Sequence, residues 1–235
     1  SGLYPVAAMP PSVSHDPASI HGVTGQPADV LKDGHEASIL DIRNLSSIGD
    51  IAEDLADRQV IHVGENHQQY SHHLAQLDII RAIHNIHPDI AIGMEMFQQP
   101  FQQYLDQYIQ GKLEEKDMLR RTEYFSRWAY DYRLYKPILD FAKEHRIPVI
   151  ALNIEKEITS KVGDVGIDGL DDAERQKIPA DLDDSNVRYR QQLQQVFAQH
   201  PHNENSDFER FLQVQLLWDE GMAERAVNYL QQYPD

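Results

Sequence analysis

Val60-Ile61-His62-Val63-Gly64-Glu65-Asn66-His67 and Ile90-Ala91-Ile92-Gly93-Met94-Glu95-Met96-Phe97 decide how this chain is read. Each is a short apolar run rich in β-branched residues, reaching a Gly with a carboxylate one or two residues later. Uninterrupted runs of this kind read as strands buried on both faces of a parallel sheet. Ligands of such sheets bind in the crevice beyond the carboxyl ends of the strands. Glu65, His67 and Glu95 fall at that edge.

Working outward, Tyr70 to Ile86 reads as a helix with Leu74, Leu77, Ile80, Ala82 and Ile83 as its core stripe. Upstream, a short helix is expected over Asp50 to Asp57 and an edge strand over Ile39 to Ile42. Downstream, helices are expected near Gln98–Ile109, Leu113–Arg121 and Tyr132–His145, before a further buried strand from Pro148 to Asn153. Repeated β-then-α units imply a parallel, helix-flanked sheet, so the fold class is α/β.

Beyond Asn153 no strand is expected. Residues 163–186 are rich in Gly and Asp, and helices follow over Val187–Gln199 and Phe208–Leu230. The organisation is therefore an extended, proline-rich leader (1–37), an α/β sheet domain (38–160, with the 207–232 helix packing back), and a smaller all-helical subdomain (161–206). A doubly wound sheet would return with another strand after 232, so a C-terminal strand region is expected to be missing. The Ser1-Gly2 start likewise leaves room for a removed leader or anchor.

The 38 acidic and 21 basic residues give a formal net charge of −17. With no clustered Lys/Arg face to displace counterions, nucleic acid is not an expected partner. The absence of cysteine excludes disulfides and thiolate metal sites. No run approaches the roughly 20 apolar residues of a spanning helix.

If the first two strands are neighbours, about 5 Å apart, Glu65 and Glu95 come within reach of each other, with Asn153 at the end of the third strand completing a polar rim. Two carboxylates and a His can bind a metal or divide acid and base roles. Glu65 as a helix cap and Glu95 as an ion-pair partner are the plainer alternatives. His72 and His73 open a helix, where only one of two adjacent side chains can face the site. Tyr124, Phe125, Trp128, Tyr130, Tyr132 and Tyr135 place six aromatics in twelve residues, which suits a flat apolar ligand, a partner interface or packing against the sheet. In the last helix Trp218, Met222 and Ala223 read as core, and Asp219 as a residue that reaches the rim.

Taken with their order and spacing, Gly64-Glu65-Asn66-His67, His72-His73-x-x-Gln76, Met94-Glu95-Met96-Phe97, Tyr135-Lys136-Pro137, Val149-Ile150-Ala151-Leu152-Asn153 and Gln215-x-x-Trp218-Asp219-x-x-Met222-Ala223 resemble the ChaN-type haem-binding lipoproteins. The resemblance spans roughly residues 40 to 232. It belongs to a wider group that includes erythromycin esterases and Tiki-like proteases.

The resemblance implies a lipoprotein at the periplasmic face of the outer membrane, its anchor absent here, serving bacterial haem and iron uptake beside an outer-membrane haem receptor. It also implies a homodimer binding two stacked haems, each iron on one Tyr, with His and Lys on the propionates. Carried to this sequence, Tyr135 is the axial candidate, with Tyr132 and Tyr189 in reserve. His67, His72, His73 and Lys156 are the propionate candidates. Haem iron is the only metal expected. A binding and transport role is favoured over an enzyme; the alternative is an esterase-like or metal-dependent hydrolase using Glu65, His67 and Glu95, with Asn153 and Asp219 on the same rim.

Overall fold

The computed structural model describes residues 47–199 and 207–233. The expected leader, 1–37, and the expected strand at Ile39 to Ile42 lie outside them. Two parallel strands, β1 (Ile92–Gln98) and β2 (Val149–Asn153), pair Ile92 with Val149 and Met94 with Ala151. The register then shifts, so that Gln98 meets Asn153. At Gly93 the Leu152 side chain comes close, and a Cβ there would stand 2.8 Å from Leu152 Cδ1.

Helix α1 (Ile48–Ala56) starts on a capping box in which the Ser47 hydroxyl and Asp50 carboxylate satisfy each other's backbone. Helix α2 (Tyr70–Ile86) buries His73, Leu77 and Ile83. Leu74, expected in the core stripe, is 38% exposed, because the buried face is centred one residue earlier, on His73. Between the strands run α3 (Gln102–Ile109), α4 (Glu115–Arg121), α5 (Tyr124–Arg127) and α6 (Lys136–His145). The segment expected as one helix from Tyr132 is broken: a 3₁₀ turn covers Tyr132–Leu134, and α6 begins at Lys136 with Pro137 in its first turn. The main core gathers around this sheet, with Phe97, Leu105, Tyr124, Tyr135, Leu139 and Val149 among its most enclosed members.

Val60–Gly64 differs from expectation. Burial alternates along it, with Ile61, Val63, Glu65 and His67 turned inward, but it pairs with no strand among the described residues. Its Val63 carbonyl accepts from the Gln76 side chain at 2.9 Å instead.

After β2 comes a helix that the sequence reading missed, α7 (Lys156–Val165), then α8 (Asp172–Arg175), α9 (Val187–Gln199) and α10 (Phe208–Gln232). Ile154, Ile158, Val162, Leu170 and Leu217 form a second core that ties α7 to α10. The buried face of α10 is Leu212, Leu216, Leu217 and Gly221, whereas Trp218 and Met222 are half-buried and Ala223 is exposed. The packed stripe thus lies beside the one expected. It is fixed by Gly221, where the helix meets Ile154.

The outer edge of β2 is covered by side chains. The Gln102 amide donates to the Val149 carbonyl and accepts from the Ala151 N–H, both at 2.8 Å. Arg225 reaches the Ala151 carbonyl at 3.4 Å. These groups satisfy backbone that an open edge would offer to another chain.

Candidate functional site

Glu65 is the centre of the rim at the sheet's C-terminal edge. Its side chain is 10% exposed, and three groups converge on it. His67 Nδ1 donates to Oε1 at 2.5 Å, the Tyr135 hydroxyl lies 3.5 Å from the same oxygen, and His73 Nε2 stands 3.7 Å from Oε2. Residues i and i+2 of an extended segment share a face, which is why Glu65 and His67 meet. The carboxylate fixes the tautomer with hydrogen on Nδ1, leaving Nε2 of His67 free.

The two adjacent histidines of α2 go to opposite environments. His73 is 1% exposed, packs edge-on to Tyr135 with ring centres 4.6 Å apart, and donates from Nε2 to the His67 carbonyl at 3.2 Å. His72 is exposed and accepts from the Asn66 N–H at 3.0 Å through Nδ1, so its Nε2 remains available to a ligand.

The aromatic run forms one wall of the rim. His67 lies 5.1 Å from the Trp128 ring and 4.5 Å from Tyr130, and Trp128 lies 5.5 Å from Tyr130. The indole N–H donates to the Tyr135 hydroxyl at 3.2 Å. Arg127 holds this loop, donating to Gln98 at 2.7 Å and to both oxygens of Glu157, with its guanidinium 4.8 Å from the Phe101 ring. Lys156 hydrogen-bonds through its backbone to Gln98 and through Nζ to the Ser126 carbonyl at 3.1 Å.

Electrostatics tie Glu95 and Asp219 to the same rim. Burial raises the Glu95 pKa; His67 opposes this, and the charges of Glu65 and Asp219 add to it. Burial pulls His67 downward, but the Glu65 hydrogen bond and the Glu65 and Glu95 charges outweigh it, so the ring titrates above its ordinary value. Asp219 is exposed and accepts from the Tyr189 hydroxyl at 2.5 Å. Burial and then Asp219 raise the Tyr189 pKa.

The three tyrosines singled out as candidate ligands sit differently. Tyr135 is 0% exposed and Tyr132 5%, the latter donating to Glu115 at 3.3 Å. Tyr189 is half-exposed on α9. Buried with no hydrogen-bond partner are Glu65 Oε2, His73 Nδ1 and Asn153 Oδ1. The one on Glu65 marks the rim as a place where a polar group is wanted. Among the described residues, no three His, Asp or Glu side chains are arranged to hold a metal ion.

Residues 51–235 match the family described as haem-binding uptake, Tiki superfamily, ChaN. The chain belongs to this family. A solved structure described as cofacial heme binding to ChaN of Campylobacter jejuni is similar over 77% of this chain and 71% of that one, with a TM-score of 0.61 and 17% identity. At that identity the likeness establishes a shared fold. No curated protein matches the chain.

Within this ChaN-family frame, sequence reasoning did not single out Trp128, Tyr130, Arg127 or Gln98 as individual site residues. The signal for the first two was their crowding with other aromatics. Gln98 at the end of an apolar strand was the signal for the contacts that fix Arg127 and Lys156.

Proposed function

We propose that this protein binds haem at the C-terminal edge of its sheet for bacterial haem uptake, with a tyrosine oxygen on the iron and two chains closing over stacked haems. The observation that carries the reading is the 2.5 Å hydrogen bond from Tyr189 to Asp219, whose charge also acts on Glu95. A phenol must lose its proton to ligate ferric iron. Burial and Asp219 keep the proton on Tyr189 in the free protein. Asp219 is already placed to receive that proton as the oxygen turns to the metal. The enclosure of the Tyr135 hydroxyl by Trp128 and Glu65 and the burial of Tyr132 support assigning the ligand role to Tyr189 in this reading.

The remaining residues fit a flat dianionic macrocycle. Trp128, Tyr130 and His67 offer ring surface. Glu65, Glu95 and Asp219 repel propionates, directing them toward exposed His72 and the half-buried Lys156, whose ammonium keeps donors beyond its bond to Ser126. Phe125, three residues before Trp128, is 71% exposed, and Val187, two before Tyr189, is 66% exposed. Apolar side chains so placed support a second chain covering the ligand. By family resemblance, the setting is a lipoprotein at the periplasmic face of the outer membrane, supplied by a haem receptor.

Visible-absorption titration with ferric haem tests the ligand. Tyr189→Phe is expected to lose the tyrosinate spectrum and at least tenfold in affinity, about 1.4 kcal/mol, while Tyr135→Phe keeps both. An unchanged spectrum in Tyr189→Phe removes that assignment. A second reading, an esterase-like hydrolase, is favoured by the Glu65–His67 pair alone, since an oriented imidazole with a free Nε2 is a general base. Ester turnover abolished by Glu65→Gln would establish it.

A further inference from the structure

We infer that His84 and His145 form a two-imidazole site for a divalent transition-metal ion where the C-terminal ends of α2 and α6 meet. This site is independent of the haem reading. His84 lies eleven residues beyond His73 on α2, about 17 Å along the helix at 1.5 Å per residue, well away from the rim.

The spacing of the two rings, which meet edge to face, leaves room for one ion between them. The two ring centres are 4.8 Å apart and the planes are inclined by 61°, so the rings are not stacked face to face. With a metal–nitrogen distance of about 2.0–2.1 Å, each ring centre stands roughly 3.2 Å from the ion. Two such rings at a nitrogen–metal–nitrogen angle of about 90–110° then have centres about 4.5–5.2 Å apart. The observed separation falls within that interval before any ion is added. Neutral imidazole suits zinc, copper and nickel, which defines the ligand class.

Packing and charge support the pair. Phe141 backs both rings, with centres 4.3 Å from His145 and 5.5 Å from His84, so their arrangement is held in advance. Each His lies in the last turn of its helix. There the unpaired carbonyls give a partial negative charge that favours a cation. Two nearby cations have partners of their own. Arg81 lies over Phe141 and faces Asp78 at 3.5 Å, and Lys143 Nζ sits 4.2 Å over the Tyr108 ring. With two protein nitrogens, solvent completes the coordination. The second imidazole then binds intramolecularly, which makes the pair much tighter than either ring alone.

Copper(II) alone, titrated into the haem-free full chain by calorimetry and followed by electron paramagnetic resonance, tests the site. Wild type is expected to show a two-nitrogen signal and a site that weakens at least tenfold in His84→Ala and equally in His145→Ala. The double variant should lose the residual one-imidazole binding as well. His84→Gln and His145→Gln repeat the comparison with side-chain bulk kept, should an alanine variant melt early. An isotherm unchanged in either variant, or a loss caused by only one of them, overturns the proposal. Copper retained at the rim histidines would persist in the double variant and counts against the site only if it accounts for all the binding.

Discussion

Replacing Gly221 by alanine perturbs the contact that seats α10 on the sheet. A Cβ at this position would lie 2.3 Å from Ile154 Cδ1 and 2.7 Å from Ile154 Cγ1, far inside van der Waals separation. Two effects compete. Alanine in a helix interior is favoured over glycine by about 0.8–1.0 kcal/mol, while overpacking a closed contact costs about 1–3 kcal/mol. The clash involves Cγ1 as well as the mobile terminal methyl, so the second effect wins, with a net loss near 1 kcal/mol. Ile154→Val removes the closest atom. Alone it should cost about 0.5–1.5 kcal/mol, but on the Gly221→Ala background it removes the 2.3 Å contact, leaving only the one at Cγ1, and costs much less. The cycle should therefore show a favourable coupling of about 1 kcal/mol, read as urea midpoints at unchanged m-value. If the two changes add to within about 0.3 kcal/mol, or if Gly221→Ala stabilises by the full helix-propensity gain, the close approach described here is refuted. Because Asp219 lies two residues before Gly221, the same variant should also weaken the Tyr189–Asp219 pair.

Other expectations follow from particular contacts. His67 titrates above its ordinary value of about 6.5, so the stability it contributes is complete below that pH and lost as pH rises through its folded value. The raised Glu95 pKa has the same sign, since the native state holds its proton more tightly than the unfolded chain. The thermal midpoint should thus fall from pH 6.5 to 8.5, and Glu95→Gln should lessen the fall; a midpoint that climbs over this range contradicts the description of the rim. Gln102→Ala strips two 2.8 Å hydrogen bonds from the β2 edge and should cost about 1–3 kcal/mol, with increased light scattering as the edge becomes available. Ser47→Ala removes the α1 cap and should cost about 1 kcal/mol, visible as faster hydrogen exchange confined to α1.

Strand β2 was legible because its apolar run sits between clear breakers, and α2, α9 and α10 because their lengths and periodicity leave little choice. Strand β1, expected over Ile90 to Gly93, runs instead from Ile92 to Gln98, because pairing with β2 carries it past Gly93 and takes in Glu95. Val60–Gly64 carries the same local signal as β1, yet a ladder depends on a neighbour, which no local pattern contains. Helix α7 was hidden because Gly163 and Gly166 follow its apolar positions Ile158 and Val162, making the segment look like the start of a loop. At the site, the meeting of Glu65 with His67 follows from strand alternation, and the separation of His72 from His73 follows from helical rotation. The burial of Tyr135 does not: its neighbours in sequence are equally aromatic, and only the packing of Trp128 and His73 around it encloses its oxygen. Tyr189 and Asp219 lie 30 residues apart on two helices, a juxtaposition that only tertiary structure makes.

Haem-linked pairing of chains is the central claim, and sedimentation of the protein during a ferric haem titration tests it most directly. The account predicts a saturable tyrosinate-type spectrum at one haem per chain, with the mass doubling over the same range of added haem. Saturation with the mass unchanged would contradict the stacked-haem dimer, and failure to saturate would contradict haem binding itself.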